Sequence, residues 1–500
     1  MTRIRGLLGC LLSAGAVATF CLALLPGAGA AAAATHRAAA APVTAGGTWG
    51  NAMKVAGLAA LSKGGAVLVS VSCGSPGNCS AGGEYVDGAG HTQPFVVGQT
   101  HGRWGTALQV PGIAALNSGD AVINSVSCGS VGNCSAGGSY TDGARHSQAF
   151  VVNEVNGTWG TAQEIPGSGA LNSAGAAEAD SLSCGSAGNC AVVGTYSSHA
   201  SRNAHCPVQT GCHLVFVADE ANGTWGTAIQ IPGTAALAPH GLAEIRTVSC
   251  ASAGNCAAGG SSVEPTGHQH AWVASEAGGT WRKAMTVPGL APLNQGGFAT
   301  TGTISCSSVG FCSAGGRYTD RSFHDHAFVV SETDGHWGTA SQVPGTAVLG
   351  SGGGAEMESV SCSSPGNCSA GGDYAHRRGP AGVYVVNEVN GVWDTAIKVP
   401  GIAKLNRGGN ASISSLSCAP AGGCSAGGVY ASLPNQNQAF VVTETNGTWG
   451  TAIEVPGSAA LNNGDAQVSS VSCAAAGKCS AAGSYFTSSR LSDAFVVSES

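Results

Sequence analysis

Residues 121–140 read AVINSVSCGSVGNCSAGGSY, and residues 148–167 read QAFVVNEVNGTWGTAQEIPG. Both segments are built for short strands. β-Branched and aromatic residues alternate with small ones, and Gly, Asn and Pro punctuate the ends. Asn156-Gly157 supplies the two positive-φ positions that a two-residue hairpin demands. The pair of segments predicts four strands: Ala121 to Cys128, Cys134 to Tyr140, Ala149 to Glu154 and Thr158 to Ile165.

This unit recurs along nearly the whole chain. Trp49, Trp104, Trp159, Trp225, Trp281, Trp337, Trp393 and Trp449 stand in G-x-W-G-like contexts, at spacings of 55, 55, 66, 56, 56, 56 and 56. Repeats of this size with four antiparallel strands fit propeller blades. The phase sharpens the reading. The repeats open on a lone Trp strand, Thr48 to Val55, and close on a third strand, Ala494 to Glu499. The first Trp strand must therefore complete the last blade, which closes the ring and leaves no open sheet edge. An open solenoid would need capping repeats with polar faces, and none is seen. The expected fold is all-β, an eight-bladed β-propeller over residues 47–500, with no helix-period segment.

Composition excludes other classes. Of 500 residues 79 are Gly, 9% are charged and 43% are hydrophobic, which is too apolar and too weakly charged for disorder. The net charge is −7, and the 20 basic residues form no stripe, so no nucleic-acid partner is expected. Arg3 and Arg5 precede the apolar Leu7 to Leu25, and Ala28-Gly29-Ala30 resembles a cleavage site. Residues 1–30 read as a signal peptide and 31–46 as a flexible Ala-rich lead-in. A retained membrane anchor is the competing reading. With no second apolar span, the mature chain is expected outside the cell, without a membrane span and as a monomer.

In an exported chain, cysteines six apart read as a disulfide closing each hairpin between the first two strands. The pairs are Cys73/Cys79, Cys128/Cys134, Cys184/Cys190, Cys250/Cys256, Cys306/Cys312, Cys362/Cys368, Cys418/Cys424 and Cys473/Cys479. A zinc site would want four ligands where each pair offers two. An insertion in blade three adds Cys206 and Cys212, read as a ninth disulfide. The V-S-C-x-S-x-x-x-C-x-A-G units resemble those of secreted actinobacterial repeat proteins, and the N-G-x-W hairpin is similar to Asp-box turns. The resemblance spans residues 47–500. It implies a propeller and carries no activity.

Repetition separates scaffold from site. The Glu ending the third strand (Glu154, Glu220, Glu276, Glu332, Glu388, Glu444, Glu499, with Gln99 in the first repeat) reads as structural, a carboxylate placed to accept N–H bonds at the turn. The Trp series reads as packing, as do Tyr85, Tyr140, Tyr196, Tyr318, Tyr374, Tyr430 and Tyr485, although a tyrosine rim could also stack sugars.

The V-S-C strand should be innermost and line the channel. Four and six residues before its Cys the sequence varies, and the scarce charges gather there: Glu178 and Asp180, Glu244 and Arg246, Glu356 and Glu358. Residues two apart share a strand face, so each pair should point together near the channel mouth. These six are the candidate ligand-binding residues, for a sugar or a Ca²⁺ ion. The alternative is a solvated channel mouth that has drifted freely.

His268-x-His270 and His324-x-His326 are a weaker metal candidate, since Gln or Asp fills one of these positions elsewhere. No resident cofactor or structural metal is expected. No G-x-S-x-G, H-E-x-x-H, P-loop or dinucleotide fingerprint occurs, so no catalytic residue is assigned. The expectation is a non-enzymatic binding or scaffold protein presenting one face to a glycan or cell-surface partner. The alternative is a glycoside hydrolase or lyase using paired carboxylates.

Overall fold

The computed structural model describes residues 47–199, 211–377, 379–420, 422–434 and 436–500. The expected signal peptide and the whole lead-in lie outside the described residues, as does Cys206 with its expected bond to Cys212. Among the described residues no helix is long and apolar enough to cross a membrane.

Blade two shows the unit. Ala121–Ser130, Asn133–Thr141, Ser147–Val155 and Thr158–Trp159 pair antiparallel in chain order, from the channel outward. Asn156 and Gly157 take φ of 51° and 79°, as the hairpin requires. The Trp strand is not continuous as expected. It breaks into Thr158–Trp159 and Gln163–Glu164, both paired to the third strand. A second difference is a single helical turn after most Val-Pro-Gly or Ile-Pro-Gly segments, such as Ile113–Leu116. Four residues are too few for a helical period to show in sequence.

Eight such blades form the ring, and disulfides join the cysteines six apart in all of them. The bridges close the hairpins as expected. They also reach into the core. The second cysteine of each pair is only 3 to 6% exposed: Cys79, Cys134, Cys190, Cys256, Cys312, Cys368, Cys424 and Cys479. The reason is the direction in which the second strand leaves the turn. Its first inward position faces the preceding blade, so the sulfur packs into the seam between blades. Cys79 joins Ala482 and Val496 of blade eight, and Cys190 joins Ala149 and Val151 of blade two. Cys256 lies with Val193 of blade three, Cys368 with Val329 of blade five and Cys479 with Val441 of blade seven. The disulfide is thus half turn staple and half core.

Blade eight runs Ala466–Ala475, Lys478–Phe486 and Ser492–Ser498, and Met53–Lys54 from the N-terminal segment adds its outer strand. Thr48 and Ser500 exchange backbone bonds at 3.0 and 3.1 Å, and the Trp49 indole donates to Thr443 at 3.1 Å. The ring closes as the repeat phase requires.

Two layers of hydrogen bonds explain why the motif is so regular. The Ser before each inner-strand Cys accepts the backbone N–H of the next blade's Cys. Ser72 takes Cys128, Ser127 takes Cys184, and the series runs round to Ser472, which takes Cys73, all at 2.9 to 3.0 Å. Eight hydroxyls thus stitch the inner strands into a circle around the channel. On the same rungs but further from the channel, the third-strand carboxylates bridge blades. Ser80 donates to Glu154 at 2.7 Å, Ser275 to Glu332 at 2.6 Å and Thr443 to Glu499 at 2.9 Å. The role is structural, as expected, but most of these links reach the neighbouring blade. Glu444 instead accepts local turn bonds, from the N–H groups of Cys424 and Gly447.

The core fills the spaces between blades. Val192, Leu182 and Phe216 of blade three pack against Val151 and Ile165 of blade two. Trp225 is buried there and donates its indole N–H to Asn153 of blade two at 3.0 Å. The seven tyrosines are at most 6% exposed, with Tyr140 and Tyr430 donating to outer-strand Glu164 and Glu454, so they pack and offer no stacking rim.

Candidate functional site

Every inner strand carries a register break four residues before its Cys. In blade three the ladder steps from Ala179↔Gly194 to Ser181↔Val193, leaving Asp180 as the extra residue. Arg246 and Glu358 are the bulged residues of blades four and six. A bulge leaves one residue unpaired and re-aims its side chain. The paired glycine permits it: a Cβ on Gly194 would fall 2.1 Å from the Glu178 carbonyl oxygen. The expected pairs lie together on one face, as two-residue alternation requires: Glu178 and Asp180 alternate with buried Ala177 and Ala179, and the bulge breaks the phase only from Asp180 onward.

The six candidate residues fall into two adjoining clefts at one end of the channel. The first, of about 440 Å³, holds Glu178, Asp180, Glu244 and Arg246, with Thr195 and His213. The second, of about 460 Å³, holds Glu244, Arg246, Glu356 and Glu358, with Arg317 and Phe298. Glu244, Arg246 and Gln269 line both, so the clefts share a wall. Arg246 and Glu244 form an exposed ion pair at 2.9 Å.

The second strands supply residues that the inner-strand pattern did not reveal. Arg317 pairs in register with Thr300, and Asp373 with Glu356. The Arg317 guanidinium lies 4.8 Å from the centre of the Phe298 ring and donates to Glu356 at 2.8 Å. This links blade five to blade six. Asp373 accepts the Ile413 N–H of blade seven at 3.0 Å. A signal existed in the sequence. The residue before the second-strand tyrosine also varies between blades, and it is Arg317 in one and Asp373 in another.

Electrostatics divide these acids. Burial, reinforced by Glu178, raises Asp180 to about 7. Its Oδ2 is buried without a hydrogen-bond partner in the protein. Burial raises Asp373 to about 7, against the bonds it accepts from Ser412 and Ile413. Glu358 is exposed at the channel mouth yet closely flanked by protein. Burial and then the charges of Glu356 and Asp373 hold it well above the usual carboxylate range. Such a site keeps proton-bearing and ionised carboxyls side by side.

Glu356, Glu358 and Asp373 each bring an oxygen within 4.8 Å of the others, the one group of this kind among the described residues. Three oxygens are half or fewer of the six to eight that Ca²⁺ takes. The histidine pairs do not converge on a metal. His270 lies 3.4 Å from Glu264, and His326 lies 3.1 Å from Asp320, each within its own blade.

No family model matches the sequence, and no curated protein matches it. Similarity is confined to solved structures. The PL25 ulvan lyase, a polysaccharide lyase, shares 8% identity over 91% of this chain and 95% of its own, with a TM-score of 0.42. The Hadza microbial sialidase Hz136 shares 12% identity over 71% of this chain and 73% of its own, with a TM-score of 0.33. A protein of unknown function from Dyadobacter fermentans DSM 18053 shares 9% identity over 91% of this chain and all of its own, at a TM-score of 0.39. No residue correspondence is drawn at this distance. The blade count rests on the chain's own strand pairing and on its closed ring of serine bonds.

Proposed function

We propose that this is a secreted binding protein that takes a polyhydroxylated ligand, a glycan, across the two clefts at the channel mouth. Eight disulfides suit a chain that matures in an oxidising compartment. The observation that carries the reading is the buried, unpartnered Oδ2 of Asp180, in a cleft where Glu244 and Arg246 already satisfy one another. Buried polar atoms in native proteins find partners, and a sugar hydroxyl both donates and accepts. Proton-bearing Asp180 beside exposed Glu244 and Arg246 offers donors and acceptors to a neutral ligand without demanding a counter-ion.

A second reading follows from one further observation. Glu356 and Glu358 hold oxygens within 4.8 Å of each other, one ion-paired to Arg317 and the other with its proton held tightly. A retaining glycosidase needs an acid and a nucleophile about 5 Å apart. In this reading Glu358 is the general acid and Glu356 the nucleophile.

A titration of residues 47–500 with a panel of soluble polysaccharides, assayed together for reducing ends, separates the readings. Saturable binding without product, weakened about tenfold or more by Asp180→Ala, supports the binding protein. Product formation that is lost in Glu358→Gln replaces it with the hydrolase. Full binding by Asp180→Ala sinks the cleft as the site.

A further inference from the structure

Seven blades end their second strand on a buried tyrosine, and blade four does not. In register, Tyr85 faces Gln93, Tyr140 faces Gln148 and Tyr318 faces His326, whereas Ser262 faces His270. The same rung of the inner ladder pairs Ala66 with Tyr85 and Ala243 with Ser262. Ser262 therefore stands where its sisters place a phenol ring.

The missing ring leaves space. A groove of about 340 Å³ opens in blade four, bounded by Ser262, Leu237, Thr286, Leu290 and Asn294. Thr286 occupies the outer-strand position held by Glu164 in blade two and Glu454 in blade seven. Those two carboxylates receive the hydroxyls of Tyr140 and Tyr430 at 3.2 and 2.9 Å. The groove thus spans the seat of the absent side chain, from the strand that would bear the ring to the residue beside its hydroxyl. Part of the lost volume is restored by Trp272, which stands where Phe95 and Phe150 stand in their blades. Its indole N–H is tied to the Ser261 carbonyl at 2.9 Å, which fixes the larger ring against the second strand.

A separate observation concerns Asn294. It is 6% exposed, its amide donates to the Gln269 carbonyl at 3.0 Å, and its Oδ1 has no partner in the protein. At the same place in blades two and three the Asn side-chain oxygen is used. Asn117 accepts from Thr141 and Asn172 from Ser197, while Asn406 shares the open oxygen of Asn294. A buried acceptor left open at the wall of an apolar groove calls for a donor from outside the chain.

The geometry points to a binding site for a para-substituted phenol in blade four. The ring lies between Leu237 and Leu290, and its O–H donates to Asn294 Oδ1. The site is separate from the channel mouth, and it is defined by what the other blades carry in the same place.

The test is calorimetric titration of the folded chain with 4-methylphenol, with toluene as the probe lacking the donor and N-acetyl-tyrosinamide as the peptide-borne phenol. Saturable binding of 4-methylphenol is expected, at least tenfold tighter than toluene and abolished in Ser262→Tyr, which restores the side chain of the sister blades. Ala236→Phe, an exposed change at the groove's rim, should weaken binding too and guards against a folding defect in the first variant. Binding of N-acetyl-tyrosinamide with equal affinity would make a protein side chain the ligand's source, and its exclusion would make it a free phenol. No binding by the wild type, or binding untouched by both variants, overturns the proposal.

Discussion

Glu276 meets Asp219 across the junction of blades three and four, and neither carboxylate oxygen of Glu276 has a hydrogen-bond partner. Sister junctions place a donor opposite this glutamate: Asn153 for Glu220, Ser275 for Glu332 and Thr443 for Glu499. Here burial, with the like charge of Asp219 added, lifts Glu276 to about 7. Asp219 is raised as well, by burial, against the bond it receives from the Trp281 indole.

That junction makes stability depend on pH. A carboxyl whose folded pKa is raised holds its proton more tightly when folded, so its contribution is fullest below the unfolded value, near 4.5. The contribution is lost as pH climbs towards 7. Asp219→Asn should install the pairing that Asn153 makes with Glu220, and the amide oxygen still accepts the Trp281 N–H, as Asn153 accepts Trp225. The variant should be about 1 to 2 kcal/mol more stable than wild type at pH 8 and nearly equal at pH 4.5. Urea unfolding at the two pH values measures this. An equal gain at both would refute the electrostatic account.

The serine ring makes a second prediction. In Ser305→Ala the Cys362 N–H loses the acceptor that holds it at 2.9 Å. Partial access to channel water limits the damage to about 1 kcal/mol. Replacing Cys306 and Cys312 together by alanine should cost about 2 kcal/mol, the entropy that so short a loop returns to the unfolded chain. Melting curves of the two variants, side by side, should keep that order.

At the closure, Trp49 is 7% exposed and packs against Val441, Val455 and Val497. Trp49→Ala should destabilise by about 3 kcal/mol or more. Hydrogen exchange would place the loss, with the amides of 492–500 losing protection before those of blades two to five.

Binding at the channel mouth should titrate. Below about pH 7 Asp180 carries its proton and can donate to a neutral glycan, and above that pH it cannot. Affinity should fall about tenfold between pH 5.5 and 8.5, the worth of roughly one hydrogen bond. Asp180→Asn keeps a donor at all pH values and should flatten the profile. A profile unchanged in that variant would remove Asp180 from the site.

Much of this fold can be read from the chain because its decisive signals are local and repeated eight times. The cysteine hairpin, the Asn-Gly turn and the Trp interval each lie within one repeat. What escapes is set by register between strands and by contact between blades. Arg317 and Asp373 enter the site through the rung they share with Thr300 and Glu356, and no spacing along the chain displays that rung. The pairing of Cys190 with Cys184 is legible for being local, while the burial of Cys190 against blade two is not. Four-residue helical turns escape for another reason, being shorter than the period by which helices are read. The serine before each cysteine is plain in the sequence, yet its partner sits a whole blade away.

The seam in blade eight has a consequence for how the molecule comes to be. Synthesis delivers Trp49 and Met53 long before their partners, Glu499 and Val496. Every blade between can pair its own strands as it emerges, but the circle waits for the strand Ser492–Ser498. A chain truncated within its repeats keeps an unmatched strand at its start and a bare edge at its end. The seam therefore ties closure of the ring to blade eight, since both are hidden only when that blade is in place.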